Sequence, residues 1–152
     1  MISQRARYAL KALFALVRAG DRLLTSREIA TAETIPQSFL EQILIDLRRG
    51  GLISSRRGKV GGHQLLKDPA SINCGQVLRL IDGPIAPLPC LSKTAYRRCA
   101  DCPDERACAV RQVFASGYAA LIGALEATSL QDAARHADAI AASERIEDGA
   151  FI

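Results

Sequence analysis

The chain has 152 residues, of which 49% are hydrophobic and 24% are charged, and this composition is typical of one globular domain with an accessory element. It excludes a disordered, collagen-like or repeat protein, and no apolar run reaches the roughly 20 residues needed to span a bilayer. No apolar signal core follows the first charged residues, so we expect a cytoplasmic protein without a membrane partner. Aromatic residues make up only 5%, which argues against a stacking platform for single-stranded nucleic acid.

The net charge of +4 conceals an asymmetry between the two halves of the sequence. Residues 1–67 contain twelve Lys and Arg against five Asp and Glu, whereas residues 68–152 contain eight against eleven. A basic half beside a mildly acidic half indicates that the first half contacts a polyanion, although a basic face can also serve only solvation.

Two helices with clear local signals open the chain. In the first, apolar residues recur every three or four positions between Ser3, an N-cap residue, and Gly20, which can end the helix. The second helix starts after Thr25, because Thr25 and Glu28 have the spacing of a capping box.

A third helix is predicted from Pro36, a residue suited to a first turn, to the glycine pair at 50–51. Its predicted apolar face contains Phe39, Leu40, Ile43, Leu44 and Leu47. The opposite face is polar and carries Gln37, Ser38, Glu41, Gln42, Arg48 and Arg49.

Extended stretches at 52–57 and 63–66 surround a glycine-rich basic turn at 58–62 and predict a β-hairpin. Three helices followed by such a hairpin predict a winged helix-turn-helix whose third helix enters the major groove of DNA. Asn73 and Gln76 then start a fourth helix that ends near Asp82. We therefore assign residues 1–83 to a winged helix-turn-helix DNA-binding domain.

The second half of the chain predicts a loop, a long helix and a short helix. Residues 84–104 are a proline-containing, cysteine-rich loop, a long apolar helix follows over about 105–127, and a short helix begins near Ser129. The long helix is too apolar to stand alone, so we expect residues 105–140 to form a homodimer with a second copy. Residues 141–152 are predicted to be a flexible tail. The predicted fold class is therefore mainly α with a small β-hairpin, a winged helix-turn-helix plus a long C-terminal dimerisation helix.

Four of the five cysteines lie within one stretch of 19 residues, at Cys90, Cys99, Cys102 and Cys108. A cytosolic chain does not normally keep disulfides, so such a loop indicates metal binding or redox chemistry. Thiolates select zinc, Cu(I) or iron–sulfur clusters, and the spacing favours neither zinc nor a cluster strongly. The fifth, Cys74, is predicted to be a small buried residue.

Several of these motifs, taken in order, resemble the IscR/NsrR/RirA family of bacterial regulators, also called the Rrf-two family. The resemblance extends from Ser3 to about Ala134. It rests on these segments: Arg7-Tyr8-Ala9-Leu10, Ser38-Phe39-Leu40-Glu41-Gln42-Ile43-Leu44, Leu47-Arg48, Gly51-Leu52-Ile53-Ser54-Ser55-Arg56-Arg57-Gly58, Gly61-Gly62 and Ile81-Asp82-Gly83-Pro84.

The resemblance implies double-stranded DNA as the partner, an operator with two half-sites bound by a homodimer, and no small-molecule substrate. By position, Ser38, Glu41 and Gln42 would face base edges and Arg57 would enter the minor groove. Phosphate contacts would then fall to Arg48, Arg49, Arg56 and Lys59. His63 stands where the family often has an aromatic Tyr, and on a hairpin its usual role is packing or a phosphate contact.

Many members of the family hold an iron–sulfur cluster on three cysteines, and Cys102 and Cys108 match the last two of these. The first would be Cys90 or Cys99. The remaining ligand used by some members is replaced here by arginine, at Arg7 or Arg111, so a fourth cysteine would complete the site within one subunit. The implied cofactor is a [2Fe-2S] or [4Fe-4S] cluster, with zinc as the alternative.

The leading hypothesis is a homodimeric transcriptional regulator that senses iron, redox state or nitric oxide through such a cluster. A winged-helix regulator with a structural zinc or a metal-free thiol site is the alternative, and a small thiol-redox or electron-transfer protein is a third. The sequence contains no catalytic constellation, so we do not expect an enzyme.

Overall fold

The computed structural model describes residues 2–58 and 60–149, with side chains described as far as residue 143. This part of the chain forms six α-helices and one two-stranded antiparallel hairpin, which confirms the predicted fold class. Two short 3₁₀ turns, Pro69–Ser71 and Pro89–Leu91, lie before and after the fourth helix. The elements in chain order are α1 (Gln4–Ala19), α2 (Ser26–Glu33), α3 (Gln37–Arg49), β1 (Ile53–Arg56), β2 (Gly62–Leu65), α4 (Cys74–Asp82), α5 (Ala109–Ala127) and α6 (Leu130–Gly149).

Side-chain caps fix where three of the helices begin. The Ser3 hydroxyl accepts a backbone N–H of α1. Thr25 and Glu28 form the predicted capping box at α2, and Asn73 and Gln76 form another at α4. Each box satisfies backbone N–H groups that would otherwise lack a partner at a helix start, so these three predictions are confirmed.

The hairpin and its turn (Ile53–Leu65) form the wing of the fold. β1 and β2 pair antiparallel, with Arg56 opposite Gly62. Gly61 has no room for a side chain, because a Cβ there would lie 2.4 Å from the Arg56 carbonyl oxygen. The turn therefore closes only with glycine at this position.

The wing is attached to the segment before α2 by a pair of backbone hydrogen bonds. The His63 N–H donates to the Leu24 carbonyl at 2.7 Å, and the Leu24 N–H donates to the His63 carbonyl at 3.0 Å. Gly62 lies so close to this segment that a Cβ would be 2.8 Å from the Leu24 oxygen. The orientation of the wing relative to the helices is therefore set by main-chain contacts.

The last helix packs on the first, although the sequence placed it in a separate C-terminal segment. Leu130 is fully buried in the same hydrophobic core as the winged helix, and its N–H donates to the Ile72 carbonyl at 2.8 Å. Arg18 of α1 also forms an ion pair with Asp138 of α6 at 2.9 Å. α6 therefore belongs to the same packed unit as α1 to α4.

Two boundaries in the second half differ from prediction. α5 begins at Ala109 and not near Glu105, because the Cys108 sulfur accepts the Arg111 N–H and caps the helix there. α6 is twenty residues long and not short, and residues 141–149, predicted as flexible, are its final part. Residues 150–152 of the predicted tail lie outside the described residues.

None of the helices in the described ranges is long and apolar enough to cross a bilayer.

Candidate nucleic-acid interface and cysteine loop

The polar side of α3 is exposed, as the sequence predicts. Ser38, Glu41 and Gln42 all lie at the surface of the helix. Gln37 donates its side-chain amide to Glu41 at 3.3 Å, so one oxygen of this carboxylate has a partner within the helix. The buried side of α3 holds the helix against the core and consists of Leu40, Ile43, Leu44 and Leu47.

The arginines at the end of α3 and in the wing are exposed and free of carboxylates. Arg48, Arg49, Arg56 and Arg57 form no ion pair within 4.0 Å with any residue of the described ranges. By contrast, Arg5, Arg18, Arg22 and Arg79 are each paired with Asp or Glu. The four unpaired arginines of α3 and the wing can therefore neutralise the charges of an external polyanion.

One cleft brings several of the predicted residues together. Glu41 and Arg48 of α3 lie on one side of this cleft, and Arg56 and Arg57 lie on the other. We call the exposed residues of α3 and the wing the α3–wing face. Ser38, Gln42 and Arg49 lie elsewhere on this face, and Lys59 lies outside the described residues.

Phe39 is not part of the apolar core of α3, so its predicted position on the apolar face is wrong. Its side chain is 57% exposed, whereas the adjacent Leu40 is fully buried. The buried residues follow steps of three and four from Leu40, which leaves Phe39 one helical position outside the core. An exposed aromatic ring therefore lies beside Ser38 on the α3–wing face.

Within the cysteine loop, the structure brings Cys90 and Cys99 together. Cys90 is buried in the second 3₁₀ turn, and its side chain is a neighbour of the Cys99 thiol. Burial raises the pKa of the Cys99 thiol, and Cys90, Asp101 and Cys102 raise it further. The Cys99 side chain is therefore a neutral thiol near neutral pH.

Arg111 joins the two ends of this loop, a role that the sequence did not reveal. Its backbone N–H donates to the Cys108 sulfur at 3.5 Å, and its guanidinium donates to the Cys90 carbonyl at 3.0 Å. A second arginine, Arg98, donates to the Cys102 carbonyl at 2.9 Å. Both guanidinium groups thus hold main-chain carbonyls of the loop.

The four predicted ligands are not gathered around one point. Among the described residues, no group of three or more His, Cys, Asp or Glu side chains is placed to hold a metal ion. The donor set of four free thiols fits a cluster or zinc chemically, but Cys108 caps α5 and is not joined to the Cys90–Cys99 pair. Cys74 is buried as predicted, and burial raises the pKa of its thiol.

α5 presents apolar side chains to solvent along most of its length. Val113 is 72% exposed, and Leu121 is 51% exposed, whereas Ile122 is the one residue of the helix that is fully buried. A groove of about 900 Å³ runs between α5, α1, α4 and the segment 84–87. The groove is lined mainly by apolar side chains, so this side of the molecule is incompletely covered in a single chain.

The C-terminal end of α5 is nevertheless attached to the winged helix. Arg79 of α4 forms an ion pair with Glu126 of α5, and Lys93 of the loop lies 3.7 Å from the same carboxylate. The Arg79 guanidinium holds the pKa of Glu126 below its ordinary value. The Cys74 N–H also donates to the Thr128 carbonyl at 3.0 Å, directly after α5.

Comparison with known proteins gives a consistent result. Residues 2–136 match the model of the Rrf2 family, described as iron-dependent transcriptional regulators. An rrf2-like HTH-type transcriptional regulator of Rhodobacter capsulatus is 47% identical over 136 residues, which cover 87% of this chain and 91% of the relative.

Two solved structures have the same architecture. The structure of CymR, described as the global cysteine regulator of Bacillus subtilis, gives a TM-score of 0.75 at 29% identity and covers 90% of this chain and 97% of its own. A structure of T. potens IscR gives a TM-score of 0.70 at 22% identity and covers 90% and 88%, which shows the shared fold. The winged helix with its exposed α3, together with a family match over nearly the whole chain, shows that this protein belongs to the Rrf2 family of DNA-binding transcriptional regulators.

Proposed function

We propose that the protein acts as a homodimer that binds an operator with two half-sites through the α3–wing face. The observation that carries the proposal is the set of exposed arginines on this face that have no carboxylate partner in the described ranges. Arg48, Arg49 and Arg56 contact phosphates, and Arg57 enters the minor groove. Lys59, which lies outside the described residues, remains part of the proposed phosphate-binding set.

Base recognition falls to the polar side of α3. Gln42 suits adenine and Glu41 can accept from cytosine, while Ser38 can bond either kind of base edge. Phe39 adds an apolar contact that fits the methyl group of thymine. We therefore expect each half-site to contain thymine.

The partner copy covers the apolar side of α5. Exposed Val113 and Leu121, beside a groove of about 900 Å³, leave an apolar surface that a second α5 would bury. A two-fold dimer formed in this way presents two α3 helices, as a symmetric operator requires. The dimer is thus a requirement of the proposed DNA recognition as well as of the burial of α5.

The cysteine loop is proposed to be the sensor. Cys90, Cys99, Cys102 and Cys108 would hold an iron–sulfur cluster, a choice supported by the donor chemistry and by the description of the family as iron-dependent. Such a cluster, when bound, would supply sensitivity to iron, redox state or nitric oxide. Arg111 joins the loop to the start of α5, the proposed dimer helix, so a change in the loop would alter the relative placement of the two α3 helices.

A metal-free thiol site is the second candidate, and two observations favour it. Cys90 lies close enough to Cys99 to raise the pKa of its thiol, and the four loop thiols are not gathered around one point among the described residues. The similar structure of CymR is that of a protein described as a global cysteine regulator. A structural zinc on the same thiols would leave the DNA-binding proposal unchanged.

Anoxic purification with a visible spectrum and analysis of iron, sulfide and zinc distinguishes these candidates. Brown protein with iron and sulfide in comparable amounts supports the cluster, and Cys108→Ala should lose the metal. Cys74→Ala is the matched control, because Cys74 lies outside the loop and should not affect metal content. Colourless protein with zinc, or with no metal, would replace the cluster by the corresponding alternative. Full metal content in Cys108→Ala would refute the ligand assignment.

A further inference from the structure

The cleft between α3 and the wing has a volume of about 320 Å³, and three arginines and one histidine line it beside a single carboxylate. Its walls come from two elements that reach DNA in a winged helix, so an entering group can come from the duplex. The charged and titratable side chains that line it are Glu41, Arg48, Arg56, Arg57 and His63.

His63 is held firmly within this cleft. Its main chain is paired with Leu24, and its Nδ1 lies 2.8 Å from the Ser55 hydroxyl. The ring is partly exposed, and no residue in the described part of the chain is hydrogen bonded to its other nitrogen, Nε2. Nε2 is therefore free to bond a group that enters the cleft.

The charged residues that line the cleft with His63 belong to α3 and to the wing. Arg48 of α3 and Arg56 and Arg57 of the wing are positive, and Glu41 of α3 is the negative group among the described lining residues. Burial and the Arg48 charge lower the pKa of His63. Without an anion in the cleft, the ring is therefore mostly neutral near pH 7.

We propose that this cleft holds a backbone phosphate of the bound duplex and that His63 donates to it through Nε2, taking up a proton as the complex forms. The inference rests on the DNA-binding surface proposed above and adds a residue to it. A phosphate within hydrogen-bond reach is an opposite charge that favours the imidazolium form, in which Nδ1–H donates a hydrogen bond to the Ser55 hydroxyl oxygen. The pKa of His63 is then higher in the complex than in the free protein.

This difference fixes the direction of the pH dependence. DNA binding takes up protons in the pH range between the free and the bound pKa, so affinity rises as the pH falls through that range. Above both values the ring is neutral in the free and the bound protein, and the affinity no longer changes with pH through His63. The effect occurs once per subunit, so two copies contribute in a dimer.

The test measures binding of a generic labelled 30-base-pair duplex by fluorescence anisotropy from pH 8.0 to 6.0 at constant ionic strength. A phosphate contact does not depend on sequence, so a generic probe is sufficient. The native protein should bind at least about fivefold more tightly at pH 6.0 than at pH 8.0. His63→Gln should lose the gain at pH 6.0, whatever its affinity at pH 8.0. His136→Gln, which changes the exposed histidine of α6, should keep the gain.

The titration midpoint of the His63 ring, followed by NMR in the native protein, provides a second readout that does not depend on a variant. The midpoint should rise when the duplex is added. An unchanged midpoint, or an equal pH gain in His63→Gln, would overturn the proposal. A comparable rise with inorganic phosphate alone would assign the cleft to free phosphate and not to DNA. Absence of duplex binding at low salt and at every pH would instead refute the proposed function itself.

Discussion

Removal of one wing charge tests the proposed phosphate contacts quantitatively. Arg56 is exposed and has no carboxylate partner in the described ranges, so Arg56→Gln removes a charge without breaking an ion pair of the folded chain. The free energy of unfolding should therefore change by less than about 0.5 kcal/mol. Any larger loss of DNA affinity must then come from the interface.

The magnitude follows from the release of counterions. Each phosphate contact adds about 0.9 to the slope of log K against log salt, and a dimer loses two contacts in this variant, so the slope should become shallower by about 1.8. Near 0.1 M salt the same two contacts are worth about 60-fold in affinity, or about 2.4 kcal/mol. In the proposed complex each Arg56 contacts one phosphate.

Fluorescence anisotropy with a generic duplex at several salt concentrations measures this slope. Arg135→Gln is the matched control, because Arg135 is exposed on α6 and is also free of carboxylates among the described residues. The control should keep the slope of the native protein. An unchanged slope in Arg56→Gln, or an equal change in both variants, would show that the wing does not contact phosphates.

Three further substitutions test other parts of the account. Val113→Asp should give a monomer in sedimentation velocity, because the charge would lie in the proposed dimer surface, whereas Val60→Asp in the wing turn should remain a dimer. Phe39→Ala should be as thermally stable as the native protein but should not share its preference for thymine over uracil in a selected operator. Leu40→Ala, the buried control, should cost about 2–5 kcal/mol of stability. Gly61→Val should distort the wing turn and weaken duplex binding, because its Cβ would meet the Arg56 carbonyl at 2.4 Å. A dimer of Val113→Asp, unchanged thymine preference in Phe39→Ala, or full binding by Gly61→Val would each contradict the corresponding step.

Local chemistry made the first part of the fold predictable from the sequence. Ser3, the Thr25–Glu28 pair and the Asn73–Gln76 pair cap helices through residues no more than three positions away, so their spacing carries the information. The polar side of α3 and the hairpin also follow from short-range periodicity.

The missed features depend on contacts that are distant in sequence. α6 is weakly amphipathic, and its position on α1 follows from the packing of Leu130 against the core and from the Arg18–Asp138 ion pair. The exposure of Phe39 depends on which side of α3 meets the core. The hydrogen bond between Arg111 and the Cys90 carbonyl joins residues 21 positions apart, and no spacing rule predicts it.

Hydrogen–deuterium exchange with and without duplex DNA tests most directly whether the α3–wing face binds DNA. Backbone amides that become buried or ordered on binding exchange more slowly, and the method follows every peptide of the chain at once. Slower exchange is expected in the peptides covering Gln37–Arg49 and Ile53–Leu65, with little change in α6. Slower exchange confined to α6 or to the cysteine loop, with α3 and the wing unchanged, would contradict this expectation.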